Sequence, residues 1–359
     1  MLFAFFLTCI AAVHCFRVPL SLENEWVSVN ALIGGELYVL MLDTGSSDLL
    51  IATHNCRDQS GLSCTLPDVP TIGPSSNGIS LKENAFKKLY SVGSASCLWA
   101  SASMKLGEMI VKEQFFGAMY KQSFGHVLQR YSGILGLFPR QVSIDSQTLV
   151  ATPALNLGIN SFGIYLPQIG SKGELAINEV NSNRFEGDLV YEDCVYCKRP
   201  SSPKWSVAVK SVQIGNGTAL KSYEQPMTAL VMTCWAVTLL PRPIFEAIIS
   251  ILGVQLVRNK IIGFSCSKTH LLPPIKFKLE SGNELVLERY YRVSRDDRGC
   301  HLLIMPSYEK ASDGSLKLTF GELFHQRHYV DYDIQNSRVG FAKTRHHIPR
   351  PDDPACVIC

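Results

Sequence analysis

A strand-rich chain folded as two lobes, with a few short helices, is the architecture this sequence predicts. Three observations carry that expectation. The chain has 359 residues, enough for two lobes or domains. Its 26 Gly and 18 Pro punctuate short apolar runs, which suits turn-rich β structure better than a helical bundle. The halves also form a weak internal repeat. In the first, an apolar strand ends in Asp43-Thr44-Gly45 and Ile134-Leu135-Gly136 follows. In the second, Ala229-Leu230-Val231 leads into Met232-Thr233-Cys234 and Thr319-Phe320-Gly321 follows.

From the N-terminus, residues 1–15 are apolar, uncharged and too short to span a bilayer as a helix. They read as a secretory leader cleaved between Ala12 and Cys15. Residues 16–186 are assigned to a first lobe, 187–345 to a second and 346–359 to a flexible tail. About ten residues separate the leader from Trp26, too few for a pro-segment. The apolar run from Ile244 to Phe264 is broken by Glu246, Gln255, Arg258, Asn259 and Lys260, so no stable membrane insertion is expected. A net charge of +3, with scattered basic residues, gives no reason to expect nucleic acid. The product is expected to be secreted or lumenal, and a monomer. Cysteine usage fits that compartment: of 12 cysteines, Cys9 and Cys15 fall in the leader and an even number remains for disulfides. The sequon Asn216-Gly217-Thr218 offers a glycosylation site. No cofactor and no metal site are expected.

The elements follow in order. Trp26 to Ile33 reads as a strand before a Gly34-Gly35 turn, and Leu37 to Leu42 as a buried strand. Leu49 to Ala52 is a further strand. Residues 53–88, rich in Ser, Pro, Asn, Gly and Asp, read as a loop excursion. Leu89 to Cys97 reads as a hairpin tip, and Met104 to Met119 as two strands. Phe162 to Leu166 is another. In the second half, Trp205 to Val212 alternates cleanly and Thr228 to Leu240 is a continuous apolar run. A helix begins behind Pro243. Strands are expected at Ile275 to Leu279, Leu285 to Glu288, Leu316 to Phe320 and Tyr329 to Tyr332. His325 with His328, and His346-His347, are expected on the surface.

The chemistry centres on Leu42-Asp43-Thr44-Gly45-Ser46-Ser47. A buried strand delivers one carboxylate into a tight turn, where Gly45 permits close approach. Hydroxyl and amide donors from Ser46 and Gly45 favour its ionised form. By itself this is also how an ordinary Asx-type turn reads. Together with the flanking apolar strands and the repeat, it resembles the first active-site loop of pepsin-like aspartic proteases, over nearly all of residues 24–345. The resemblance implies a bilobal all-β fold with a deep cleft, and a duplicated plan in which each lobe gives one Asp-Thr-Gly loop. It implies that Tyr90, with Gly93 and Ser94, forms a flap over substrate, and that Thr44 and Thr233 bridge the loops beneath Asp43 and Met232. Substrate contacts are implied for Thr44, Gly45, Ser46, Tyr90, Gly93, Ser94 and Thr233. Disulfides are implied for Cys56 with Cys64 and Cys266 with Cys300. Cys97, Cys194, Cys197, Cys234, Cys356 and Cys359 stay unassigned, with a structural disulfide preferred for Cys194-Val195-Tyr196-Cys197 over a redox pair or half a metal site.

The second loop departs from the pattern. Ala229-Leu230-Val231 before it and Pro241 after it fix its register, and it reads Met232-Thr233-Cys234-Trp235-Ala236. The expected acid is Met, the glycine Cys, and the two hydroxyl residues Trp and Ala. Aspartic-protease chemistry needs two carboxylates sharing a proton, and methionine can neither hold that proton nor orient water. Removing one member of such a unit costs on the order of 10⁴-fold. The sequence therefore predicts a secreted, non-catalytic homologue that binds a peptide or protein in the cleft. Two alternatives are an endopeptidase with unusual or residual activity at Asp43, and an inhibitor or other surface-interaction protein that does not use the cleft.

Overall fold

The computed structural model describes residues 15–22, 26–76, 78–90, 93–139, 141–143, 149–167, 172–198, 204–215, 221–253, 256–257, 260–261, 264–288, 293–296, 299–310 and 314–345. Residues 1–14 of the leader, the Asn216 sequon's Asn216-Gly217-Thr218, His346-His347 and the tail lie outside the described residues.

The structure is dominated by strands, and one arrangement occurs twice. In the first half, strand Ser28–Ile33 turns at Gly34 and Gly35, both at positive φ, into Glu36–Asp43. That strand runs parallel to Gly133–Gly136, placing Asp43 opposite Gly136, and Gly133–Gly136 in turn pairs antiparallel with Leu49–Arg57. In the second half, Met227–Val231 runs parallel to Leu316–Phe320, which meets Thr238–Pro241 antiparallel at Thr319. The apolar composition of these strands follows from burial on both faces: Gly133–Gly136 and Met227–Val231 are buried throughout.

The glycine closing each crossing strand has no room for a side chain. A Cβ on Gly136 would lie 2.5 Å from the Asp48 amide nitrogen and 2.7 Å from the Ser46 carbonyl oxygen. On Gly321 it would lie 2.1 Å from the Val237 oxygen and 2.4 Å from the Trp235 oxygen. Residues 46 and 48 thus correspond to 235 and 237, the register that sets Asp43 against Met232.

Chain from both halves shares one sheet. Among the described residues it has 13 strands, with Ser161–Tyr165 pairing to His328–Asp333 (Phe162 opposite Tyr332), then Arg338–Thr344, then Phe185–Asp193. Phe162 stacks on Tyr332 at 4.6 Å, and Trp205 meets Tyr332 edge-on at 5.2 Å, so the core is continuous through this sheet. The helix Arg242–Leu252 carries Pro243 in its first turn, ends at Gly253 with φ 63°, and buries Ile244, Phe245, Ile248 and Leu252.

Three expectations need correction. The excursion over residues 53–88 is not all loop: Leu49–Arg57 extends into it, and Ile79–Tyr90 is a strand paired with Gly93–Leu106. Ile79–Tyr90 is exposed along most of its length, so it lacks the alternation by which a half-buried strand is recognised. The run from Thr228 to Leu240 is interrupted by the loop at residues 232–237 between two strands. His325 and His328 are buried, at 0% and 5% exposure, not on the surface. His325 is held by the Gly321 carbonyl four residues back and by Tyr332, and His328 stacks on Phe324 at 4.2 Å.

Among the described residues the disulfides are Cys56–Cys64, Cys194–Cys197 and Cys266–Cys300. The first and third are the pairs the resemblance implied. Among the described residues, no helix is long and apolar enough to cross a membrane.

Candidate active site

Asp43 is the last residue of its strand and is 4% exposed. The Gly45 amide donates to its Oδ1 at 2.7 Å, the local bond that the Asp-Thr-Gly turn is built to make. Across from it stands the second loop. The space where Gly45 would carry a Cβ lies 3.2 Å from Asp43 Oδ1, 3.2 Å from Cys234 Sγ and 3.5 Å from Met232 Cβ. Met232 is buried and packs with Tyr196 and Leu230, with Cys234 and Trp235 against them. The Cys234 thiol is pushed well above its usual range, first by burial and then by the Asp43 charge and its bond to that carboxylate. It is a neutral S–H beside Asp43.

Beneath them the loops are cross-linked. The Thr44 amide donates to Thr233 Oγ1 at 3.2 Å, and the Thr233 amide donates to Thr44 Oγ1 at 3.1 Å. The Thr233 hydroxyl donates onward to the Leu42 carbonyl at 2.6 Å. The Thr44 hydroxyl instead lies 3.4 Å from the Tyr332 hydroxyl. Tyr332 is 2.7 Å from His325 Nε2, and His325 Nδ1 is 2.8 Å from the Gly321 carbonyl oxygen. A carbonyl only accepts, so Nδ1 carries the proton and Nε2 accepts from Tyr332. Burial lowers the His325 imidazole to about 4, consistent with a neutral ring. This chain ties the closing glycine of the second loop to the threonine of the first.

The hairpin of Ile79–Tyr90 and Gly93–Leu106 reaches the first loop. The Tyr90 hydroxyl is buried without a hydrogen-bond partner, and its ring meets Phe124 edge-on at 5.2 Å. Burial, then the charges of Asp48 and Asp43, raise the phenol well above its usual range, and the neighbouring Ser46 hydroxyl works against that rise. The Ser46 hydroxyl is likewise buried and unpartnered, so it does not donate to Asp43 as the sequence suggested. Gly93, at φ 156° and paired with Tyr90 beside the turn of the hairpin, and Ser94 face Ser123. The Ser94 amide donates to Ser123 Oγ at 2.7 Å, and a Cβ on Gly93 would lie 2.6 Å from the Ser123 carbonyl oxygen. Their visible work is to brace the hairpin. Lys88 joins Asp48 at 2.6 Å, a link between hairpin and first loop that no sequence pattern signalled.

Asp43 accepts bonds at the floor of the site, and the residue facing it is a thioether with no proton to share. Among the described residues, no group of three His, Cys, Asp or Glu is placed to hold a metal ion.

The doubled crossing-strand plan and the paired threonines find their counterpart in known proteins. The family model described as eukaryotic aspartyl protease matches residues 33–344. The chain belongs to the eukaryotic aspartyl protease family. It is 24% identical to Homo sapiens gastricsin over 312 residues, covering 85% of this chain and 77% of gastricsin. It is 26% identical to Gallus gallus cathepsin D over 319 residues, covering 85% and 77%. It is 24% identical to pregnancy-associated glycoprotein 1 of Ovis aries over 311 residues, covering 85% and 78%. The fold also matches the solved structure of an aspartic proteinase from Irpex lacteus, with TM-score 0.72, 20% identity, and coverage of 92% of this chain and 98% of that one. Within the aspartyl protease fold, the features that sequence reasoning missed are Tyr196, the Tyr332–His325 link and the Lys88–Asp48 pair. The short spacing from Gly321 to His325 and on to Tyr332 was the available signal for the second.

Proposed function

We propose that this aspartyl protease homologue is non-catalytic and holds a peptide or protein segment in the cleft over Asp43. The observation that carries the reading is the Met232 side chain standing opposite Asp43, packed among Tyr196, Leu230, Cys234 and Trp235. Hydrolysis by this family's chemistry needs a water held between two carboxylates, one accepting its proton and one donating to the peptide carbonyl. Met232 supplies neither function. The cross-linked threonines and the closing glycines keep the loops in place, which supports a retained cleft and therefore a binding role. The three disulfides support a secreted or lumenal setting. Glycosylation at Asn216 belongs to the same proposal.

Incubating the purified protein with mixed peptides from acidic to neutral pH tests this directly. No cleavage is expected from the unaltered chain, while pepstatin, a peptide-like inhibitor of the family, is expected to bind. Met232→Asp alone is expected to restore no turnover, because Cys234 and Trp235 still occupy the loop. Pepstatin-sensitive cleavage that Asp43→Ala abolishes would instead establish a working enzyme. Absence of both cleavage and binding would move the function away from the cleft.

A further inference from the structure

The floor of the cleft has two unlike halves. On the first-loop side sit Asp43 and two buried hydroxyls, Ser46 Oγ and Tyr90 Oη, which lie against each other without a well-formed hydrogen bond and have no other partner. Buried polar atoms are nearly always paired, and these two, poorly paired with each other beside one carboxylate, leave acceptor capacity that a donor seated there could use. Asp43 itself receives the Gly45 amide, and the neutral Cys234 thiol lies beside it. No Lys, Arg or His among the described residues forms an ion pair with it, and Lys88 close by is taken up by Asp48. On the second-loop side the surroundings are apolar and polarisable: Met232, Leu230, Tyr196 and Trp235.

A carboxylate offers only acceptor sites, so whatever seats on Asp43 must donate. A neutral amide or hydroxyl would satisfy the hydrogen bond but leave the buried charge uncompensated. A cation does both, and aromatic faces such as Trp235 and Tyr90 favour cations further. The hydroxyls of Ser46 and Tyr90 can accept from the donors of an ammonium or guanidinium that Asp43 does not use. An aliphatic stem carrying that charge would lie along Met232, a side chain that adapts to irregular apolar shapes.

We infer, granting the cleft-binding reading above, that the ligand of this site is a peptide that seats an ammonium or guanidinium group on Asp43 between Ser46 and Tyr90, with its apolar stem against Met232 and Trp235. The charge comes either from a Lys or Arg side chain or from a free amino terminus, and the two sources are separable.

The test is fluorescence anisotropy of the full-length protein with short N-acetylated peptides identical except at one central position, which is Lys, Arg, norleucine or Glu. The norleucine peptide is also used with a free amino terminus. Lys and Arg peptides should bind roughly tenfold or more tightly than the acetylated norleucine peptide, with Glu weakest. If the free-amine norleucine peptide alone gains that factor, the cation is the amino terminus. Asp43→Asn keeps the size of the side chain and an oxygen for the Gly45 amide, and it should erase the preference while norleucine binding persists. Equal binding of the acetylated Lys, acetylated norleucine and free-amine norleucine peptides by the unaltered protein overturns the inference and leaves cleft binding standing. So does a preference that survives in Asp43→Asn. Failure of every peptide to bind overturns both.

Discussion

The loops at Asp43-Thr44-Gly45-Ser46-Ser47 and Met232-Thr233-Cys234-Trp235-Ala236 share a backbone plan and differ in chemistry. Each follows a buried strand, each is crossed by a strand ending in a glycine that tolerates no Cβ, and each gives one threonine to the cross-link. In the first, a carboxylate accepts the local amide. In the second, a thioether packs among apolar neighbours. The geometry therefore resides in the glycines and threonines, and the residue at the acid position can change without dismantling the loop. Hydrogen bonds to backbone hold the shape, and the side chain over it is free to set polarity.

The harshest way to break this comparison is to fill the crossings. Gly136→Ala and Gly321→Ala should each destabilise by roughly 4 kcal/mol or more, since the new methyl meets backbone atoms that have nowhere to go. Urea denaturation measures both. If one is tolerated, the two loops are not equivalent.

A smaller effect comes from the polar link joining the loops. His325 and His328 are lowered by burial to about 4 and about 3. The unfolded chain takes up these protons below about pH 6.5, and the folded chain does not until far lower. Their contribution is complete above pH 6.5 and drains as pH falls toward 4. For His325 alone the loss approaches roughly 3 kcal/mol. Asp331, raised by burial to about 7, acts in the opposite sense, its stabilising contribution draining as pH rises from about 4 to about 7. Denaturation of His325→Leu beside the parent, between pH 4 and 7, isolates the imidazole. The variant should show a shallower acid decline, and an unchanged slope would remove His325 from this role.

Much of this site was legible in the sequence because it is locally encoded. A buried apolar strand, then Asp-Thr-Gly, specifies the first loop, and Ala229-Leu230-Val231 with Pro241 specifies the register of the second. The helix after Pro243 announced itself through a first-turn proline and an apolar face. What escaped depends on pairing and burial that the local apolar pattern does not announce. Ile79–Tyr90 is exposed along most of its length and becomes a strand through its pairing with Gly93–Leu106. His325 is buried because Tyr332 and the Gly321 carbonyl satisfy both ring nitrogens. Ser46 was expected to donate to Asp43, and only the fold shows its hydroxyl turned away from that bond.

The smallest expected effect sharpens the comparison at the threonines. Thr233 Oγ1 both accepts from the Thr44 amide and donates a 2.6 Å bond to Leu42, whereas Thr44 Oγ1 has one good bond and a 3.4 Å contact. Thr233→Val should therefore cost about 2 kcal/mol and Thr44→Val about 1 kcal/mol. Equal losses in thermal or urea unfolding would show that the two hydroxyls carry the same load.

The shared sheet has a consequence for the order in which the protein is made. Strand Ser161–Tyr165 is completed on one side by Gly173–Ile177, close in sequence, and on the other by His328–Asp333. About 170 residues separate Ser161 from its partner Asp333. At typical rates of synthesis this edge waits roughly ten to thirty seconds with its hydrogen-bonding groups unpaired. Until the last strands emerge, the nascent chain presents an open β edge, and pairing of that edge with a neighbouring chain is the characteristic hazard. Truncation before His328 would make that interval permanent, so a shortened product should aggregate rather than persist as an isolated first lobe.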